Sequence, residues 1–466
     1  MGANKSSIIG IVIAIIIGAA GLGLGTYTIV QDMITEGAQG PPGEDGTDGI
    51  DGIDGIDGIN GTDGNDAPGY YCASALEVQQ ALDSIGNGQG KITITNDITL
   101  NGEINIIGGG TYIIQGQTSA ITINSGGNWG SFNISNTLTC TIQNLKLNAS
   151  GVTTPFLAII LIEEINDNPV YIDNVQFLGD PFKFSVGISI YSDNVRIKNC
   201  YFNEIRQAIY QPAGFGNKAD ISDNIIYGIY LDAFDVRGNY NYISGNQFNS
   251  CDSSPIHIEN GEFNTITDNL ITNSFYGIQI QFSHNNIITG NRISSITAQN
   301  GIELISSNDN IVSENIIMDT LIYGIYLIGS WSCIISDNRI SYASTGIHSA
   351  ISSYVSIKDN IISNQYIYGI NSHSNYSVIS GNIVRDITFN TASNISAILI
   401  DGAYSTVTGN AAFSCTNSGS GVGIGIWIGL SAEYCVVDGN IAYNNDDNWF
   451  DQGTNTMGDD TNNQFS

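Results

Sequence analysis

Positive charge is scarce in this chain: 13 Lys and Arg stand against 44 Asp and Glu, for a net charge of −31. A surface so acidic repels phosphate backbones, which excludes nucleic acid as a partner. Divalent cations, Ca2+ first among them, and cationic surfaces are its natural complements; the sequence asks for no other cofactor. Proline is rare as well, with 8 residues, and none of the 7 cysteines stands in a C-x-x-C spacing, so a zinc site is not expected. Helical periodicity is nearly missing. Gly108-Gly109-Gly110 has no helix after it and therefore cannot cradle a phosphate.

A recurring asparagine organises what remains. It appears at 144, 174, 199, 224, 246, 269, 291, 315, 338, 360, 382, 410 and 440, followed by apolar residues, as in Gly290-Asn291-Arg292-Ile293. From Asn224 to Asn382 the steps are 22, 23, 22, 24, 23, 22 and 22 residues. A period of this size marks a solenoid in which each repeat is one supersecondary unit. Each unit holds short β-branched runs with period-two alternation, such as Tyr242-Ile243-Ser244 and Gln247-Phe248, separated by Asn, Gly, Asp and Ser. The spacing predicts an all-β, single-stranded parallel β-helix with three strands per coil over residues 87–445. Thirteen coils at about 4.8 Å give a rod of roughly 60 Å. Asparagine suits the corners because it tolerates left-handed backbone and its amide can bond to its copies. In this frame Cys251 and Cys415 share a column, as do Cys333 and Cys435, but coils apart, which predicts buried free thiols rather than disulfides.

The phrase N-x-I-x-x-N-x-I followed by G-I-x-L resembles the right-handed parallel β-helix repeat family. That family takes in pectate-lyase-like and polygalacturonase-like enzymes, NosD-like periplasmic proteins and many surface proteins. The resemblance covers roughly residues 74–445 and implies the right-handed fold. It implies no single activity, because the repeat is scaffold. A NosD-like role in metal-centre assembly would rest on repeat similarity alone, and the triplets described next argue against it.

Ahead of the repeats, residues 8–30 carry no charge and are long enough to span a bilayer, with Lys5 before them and Asp32 and Glu36 after. This predicts a cytoplasmic stretch at 1–7, an uncleaved transmembrane anchor at 8–30 with a cleaved signal as its rival, and an extracellular, surface-attached remainder. Glycine then falls at every third position from Gly37 to Gly64, ten triplets in all. That is the requirement of a collagen-like triple helix, here a stalk at 31–66 that would make a homotrimer. The recurrent Asp between these glycines opposes assembly, so a flexible spacer is the other reading. Cys72 could link such chains. Ser74 and Glu77 form a capping box ahead of Val78, Ala81, Leu82 and Ile85, a helix within 67–86 suited to covering the first open coil. Residues 446–466 form an acidic tail or cap.

Within G-I-x-L the outward position defines a column of Tyr210, Tyr230, His257, Gln279, Glu303, Tyr326, His348 and Asn371. Its neighbour runs Asp232, Glu259, Gln281, then His373 and Asp401. Column mates on adjacent coils lie about 4.8 Å apart, so Asp232 and Glu259 would approach the roughly 5 Å carboxylate separation of retaining glycosidases. With His257 beside them and tyrosines as stacking platforms, this is the best groove for a glycan. If the protein is an enzyme, Asp232, Glu259 and His257 are its candidate catalytic residues. Otherwise the column is a ligand-binding or merely solvated face. Polygalacturonase-like sites need a G-H-G, which this chain lacks, and Arg196-Ile197-Lys198 sits too early to serve as their R-x-K. The alginate-epimerase-like D-P-H-D is approached only by Asp180-Pro181-Phe182-Lys183. The expectation is therefore a surface-anchored β-helix for adhesion, glycan binding or envelope structure, partnered by an extracellular glycan or surface polymer. A polysaccharide lyase or glycoside hydrolase is the alternative.

Overall fold

The computed structural model describes residues 68–125, 130–150, 158–163, 168–180, 186–458 and 463–465. The expected anchor at 8–30 and the triplet stalk lie outside the described residues. Among those residues no helix is long and apolar enough to cross a membrane.

Each coil contributes up to two strands to a long sheet of 31 strands and one to a short sheet of 15, and all pairings are parallel. The coil around Asn269 is typical, with strands Thr265–Thr267, Leu270–Thr272 and Ile278–Gln281. The fold is the expected right-handed β-helix. It has about 15 coils rather than 13, roughly 70 Å of axis, because the coils before Asn144 lack the signature. Strands Asp447–Asp451, Met457–Gly458 and Gln464–Phe465 pair with the coil before them, so the solenoid continues past residue 445.

Period-two alternation places one apolar side chain of each three-residue strand, and two of the longer ones, in the interior. Ile243, Ile266, Ile288, Val312, Ile335 and Ile357 form one fully buried column. Phe177 and Phe202 stack at 4.6 Å in the early coils. All seven cysteines are free and buried. Cys72 therefore does not link chains: its strand, Gly69–Cys72, precedes the helix, and its side chain is 2% exposed.

The helix α1 spans Ala75–Ile85. The Ser74 hydroxyl accepts from the Glu77 amide at 3.3 Å, while Glu77 reaches back to the Ala73 amide at 2.6 Å. Val78, Ala81, Leu82 and Ile85 are buried on one face, and Gly86 ends the helix with φ 51°. The apolar face thus covers the first coil, which would otherwise expose its core to water.

At the corners the structure separates two properties that the sequence pattern merges. From Asn224 onward the recurrent asparagine points inward and is essentially unexposed. Its amide donates to the next asparagine's Oδ1, as in Asn291 to Asn315 at 3.0 Å, and to a carbonyl of the preceding coil, Ile266 O at 2.9 Å. Asn291 Oδ1 in turn accepts from the backbone and side chain of Asn269. The stack runs on to Asn463. Left-handed backbone belongs to the residue before it: Asp223, Gly245, Asp268, Gly290, Glu314 and Asp337 have φ of 55–67°. Asn144, Asn174 and Asn199, counted with the others, occupy this preceding position with φ of 50–54°. Cys200 takes the inward place and donates its backbone N–H to Asn224 Oδ1.

Candidate functional site

The outward face of the short sheet carries a cluster of charged and aromatic side chains, built by register. Tyr210 pairs with Asp235, then His257, Gln279, Glu303, Tyr326, His348 and Asn371 follow, one per coil. The column matches the spacing argument except in one coil. There Asp235 takes the position assigned to Tyr230, which lies on the chain before the strand Phe234–Val236 and is 45% exposed. Asp232 is displaced with it. It sits at the corner entering the sheet, and Glu259 belongs to the other outward column, where Arg237 bonds it at 3.0 Å. The expected vertical pairing of Asp232 with Glu259 therefore does not form. Gln281 follows Glu259 in that column.

The corner gives Asp232 a different role. Its Oδ1 accepts from the Ser253 hydroxyl at 2.6 Å and the Ser254 amide at 3.0 Å, and its Oδ2 meets His257 Nδ1 at 3.1 Å. Burial pushes the Asp232 carboxyl up, but hydrogen bonds from His257 and Ser253 outweigh it and hold the pKa below the usual carboxylate value. For His257 burial works against the charge, yet the bond to Asp232 and the charges of Asp232, Asp235 and Glu259 raise its pKa. The His257 Nε2 is buried and has no hydrogen-bond partner among the described residues.

Two coils along, Glu303 is only 7% exposed. It accepts from Gln279 Nε2 at 2.8 Å and from Asn300 Nδ2 at 3.1 Å. Burial raises its pKa more than these donors and His257 lower it. The carboxyl is thus biased toward its neutral form while the imidazole is biased toward its charged one. Tyr276 was not anticipated; burial raises its pKa, helped by the charges of Glu303 and Asp232. Asp235 and Arg237 were missed too. The Arg237 guanidinium holds both Asp235 oxygens, at 3.1 and 3.2 Å, and lies 5.9 Å over the Tyr210 ring. Their signal was the F-D-V-R phrase, hidden by the G-I-Y-L before it.

Further along, His348 stacks on Tyr323 at 4.9 Å and Tyr326 at 5.5 Å, and meets His373 edge-on at 5.7 Å. Burial, then the charge of His373, lowers its pKa to about 4. His373 Nδ1 lies 3.2 Å from Asp401.

The repeats match the family described as "Periplasmic copper-binding protein (NosD)" over residues 161–326, 218–386 and 295–466. The chain belongs to the NosD family. Among solved structures it is similar to the tailspike protein of E. coli bacteriophage HK620, solved as a double mutant. The two are 12% identical with a TM-score of 0.51, over 84% of this chain and 76% of that one. A second mutant of the same phage tailspike gives 11%, 0.50, 84% and 75%. At such identity the likeness shows the β-helix alone. No curated protein matches.

Copper, implied by the family's description, finds no fitting donor set. Every histidine and cysteine of the chain lies among the described residues, and no three His, Cys, Asp or Glu side chains there are grouped to hold a metal ion. The thiols are no substitute: burial pushes Cys140, Cys200 and Cys251 up to about 12, where the metal-binding thiolate is disfavoured. The two rings that do meet, His348 and His373, make a pair and not a site.

Proposed function

We propose that this chain is an exported β-helix protein, held at the cell surface by its apolar segment and raised on its triplets, which binds an extended glycan along the outward face of the short sheet. The family's periplasmic description supports export. The observation that carries binding is the His257 Nε2, buried without a partner while Nδ1 is fixed by Asp232. An unsatisfied buried polar atom costs on the order of 1–3 kcal/mol, a cost that a ligand hydroxyl would relieve. Around it Asp235, Gln279, Glu303 and Tyr326 repeat at coil spacing, one contact per coil for a ligand lying along the axis. Titration calorimetry against glycans selected on an array tests this. His257→Ala should weaken binding about tenfold, equivalent to roughly 1.4 kcal/mol, and unchanged affinity would remove the assignment.

A polysaccharide-cleaving activity is the second reading, favoured by the Asp232–His257 pair facing the neutral-leaning Glu303. Once the pH exceeds its raised pKa, His257 is a base oriented by a carboxylate with an acid two coils away, the arrangement that proton transfer across a sugar unit needs. New reducing ends or unsaturated products from a polysaccharide panel, lost in Glu303→Gln, would establish it. Binding without turnover leaves the first reading in place.

A further inference from the structure

A second face, on the first strand of each coil in the long sheet, is nearly free of charge. Its outward column runs from Tyr242 through Ile287, Ile311, Ile334 and Val378 to Met457. The remaining members are Thr and Ser, together with Val436. Beside it lies a corner column in left-handed backbone, which Asn, Asp or Gly fills without strain. Here aromatic rings occupy most of it. Tyr240 and Phe263 have φ of 59° and 57°; Tyr354, Tyr376, Tyr404 and Tyr434 have 54–57°. These four tyrosines stack at 5.0–5.2 Å within 12° of parallel, and each is 46–59% exposed. Across both columns, from Tyr240 to Met457, Asp309 is the only charged side chain among the described residues.

We propose that this face packs against the same face of two further copies, giving three parallel solenoids around a threefold axis. The inference rests on the triplet reading of Gly37–Gly64 and adds to it where the heads touch. Three observations select this occupant. The ring faces cover one another, so the stack offers ring edges and phenol tips to a packed surface and no open platform to a sugar. The chain carries −31, so copies can approach closely only where charge is absent. The triplets end at residue 64, five residues before the first strand at Gly69, and strict third-position glycine calls for three chains side by side in one direction. Parallel copies exclude a twofold axis perpendicular to the rods, and with three chains in the triplet segment a threefold axis along the rods is the closed arrangement. An exposed apolar strip along most of a soluble rod is otherwise an aggregation hazard.

The native thiols are all buried, so an introduced cysteine reports on its own position. Val378→Cys and Ile287→Cys, made in the full chain in detergent, are treated with a short bis-maleimide; Gln281→Cys, on the short sheet, is the control. The expected result is a covalent dimer from the first two, none from the control, and a three-chain protein mass by light scattering. A three-chain mass without cross-links would overturn the face while leaving the triplet reading intact. A one-chain mass would overturn both, and equal cross-linking of the control would overturn the face.

Discussion

His348 offers a direct measurement of how far the short-sheet face is sealed from water. Its ring lies against Tyr323 and Tyr326, with His373 at its edge. Burial first, and the neighbouring imidazole second, lowers its pKa from 6.5 to about 4. Between these values the unfolded chain binds a proton that the folded chain refuses, so stability falls as pH drops from about 6.5 toward about 4. The full displacement is worth on the order of 3 kcal/mol. His257 acts in the opposite sense: its raised pKa contributes stability that is present below 6.5 and lost as pH rises through the folded value. Glu303, also raised, favours the folded state in acid as well. Bulk unfolding would blend these terms, so the histidines should be read singly. With four histidines in the chain, selective 15N-imidazole labelling gives four resolvable titrations. The His348 signal should hold its neutral pattern from pH 8 to about 5, while the His257 midpoint should lie above the ordinary value. Tyr323→Ala, which opens one side of the ring, should return His348 toward 6.5. A wild-type His348 that titrates at or above 6.5 would refute the packing argument.

The scaffold yields further tests. Asn291→Ala strands the Asn269 donors and frees the carbonyl of Ile266; calorimetric unfolding should show a loss of about 2–4 kcal/mol. Gly301→Ala places a methyl 2.6 Å from Ile317 Cγ2 and 2.7 Å from the Gly324 carbonyl, and denaturant melts should show a cost of about 1–3 kcal/mol. Gly290→Asn should be nearly neutral in the same assay, because Asp268 and Glu314 already hold that left-handed position. Thiol titration of the native protein should find no reactive cysteine, and all seven after denaturation.

The solenoid was readable because its repeat is enforced by the interior. A buried amide that must bond upward and downward can be replaced only where something else takes the bonds, so the asparagine survives in sequence as a period. The capping helix was readable for a similar reason, since one apolar face and a capping box have few other uses. Where several residue types satisfy the same corner, the pattern blurs. Asn144, Asn174 and Asn199 stand at a left-handed position that Asp and Gly fill equally well, so letter matching joined them to a stack they do not enter. The first coils were missed because they keep the alternation without the amide, whereas the last carries it at Asn463.

The error at the site has one physical origin, the two different uses of glycine in this chain. In Gly301-Ile302, glycine precedes the short-sheet strand because a Cβ would strike the carbonyl of Gly324 on the next coil. In Gly228-Ile229 it supplies a positive φ of 66° at the end of the preceding strand, where the next coil has Ser250 at 61°. Ile229 then pairs with Cys251, in the long sheet. Taking the second glycine for the first shifts that coil by five residues, which puts Tyr230 where Asp235 belongs. The same shift turned a carboxylate–imidazole contact between Asp232 and His257 into a supposed carboxylate pair with Glu259. Register is decided by backbone contacts between coils, and a four-residue phrase carries no record of them. Replacing Gly228 by Asn, which tolerates left-handed backbone, should therefore preserve fold and His257 titration, whereas Gly301→Asn should disturb both; equal tolerance at the two positions would show that the distinction is false.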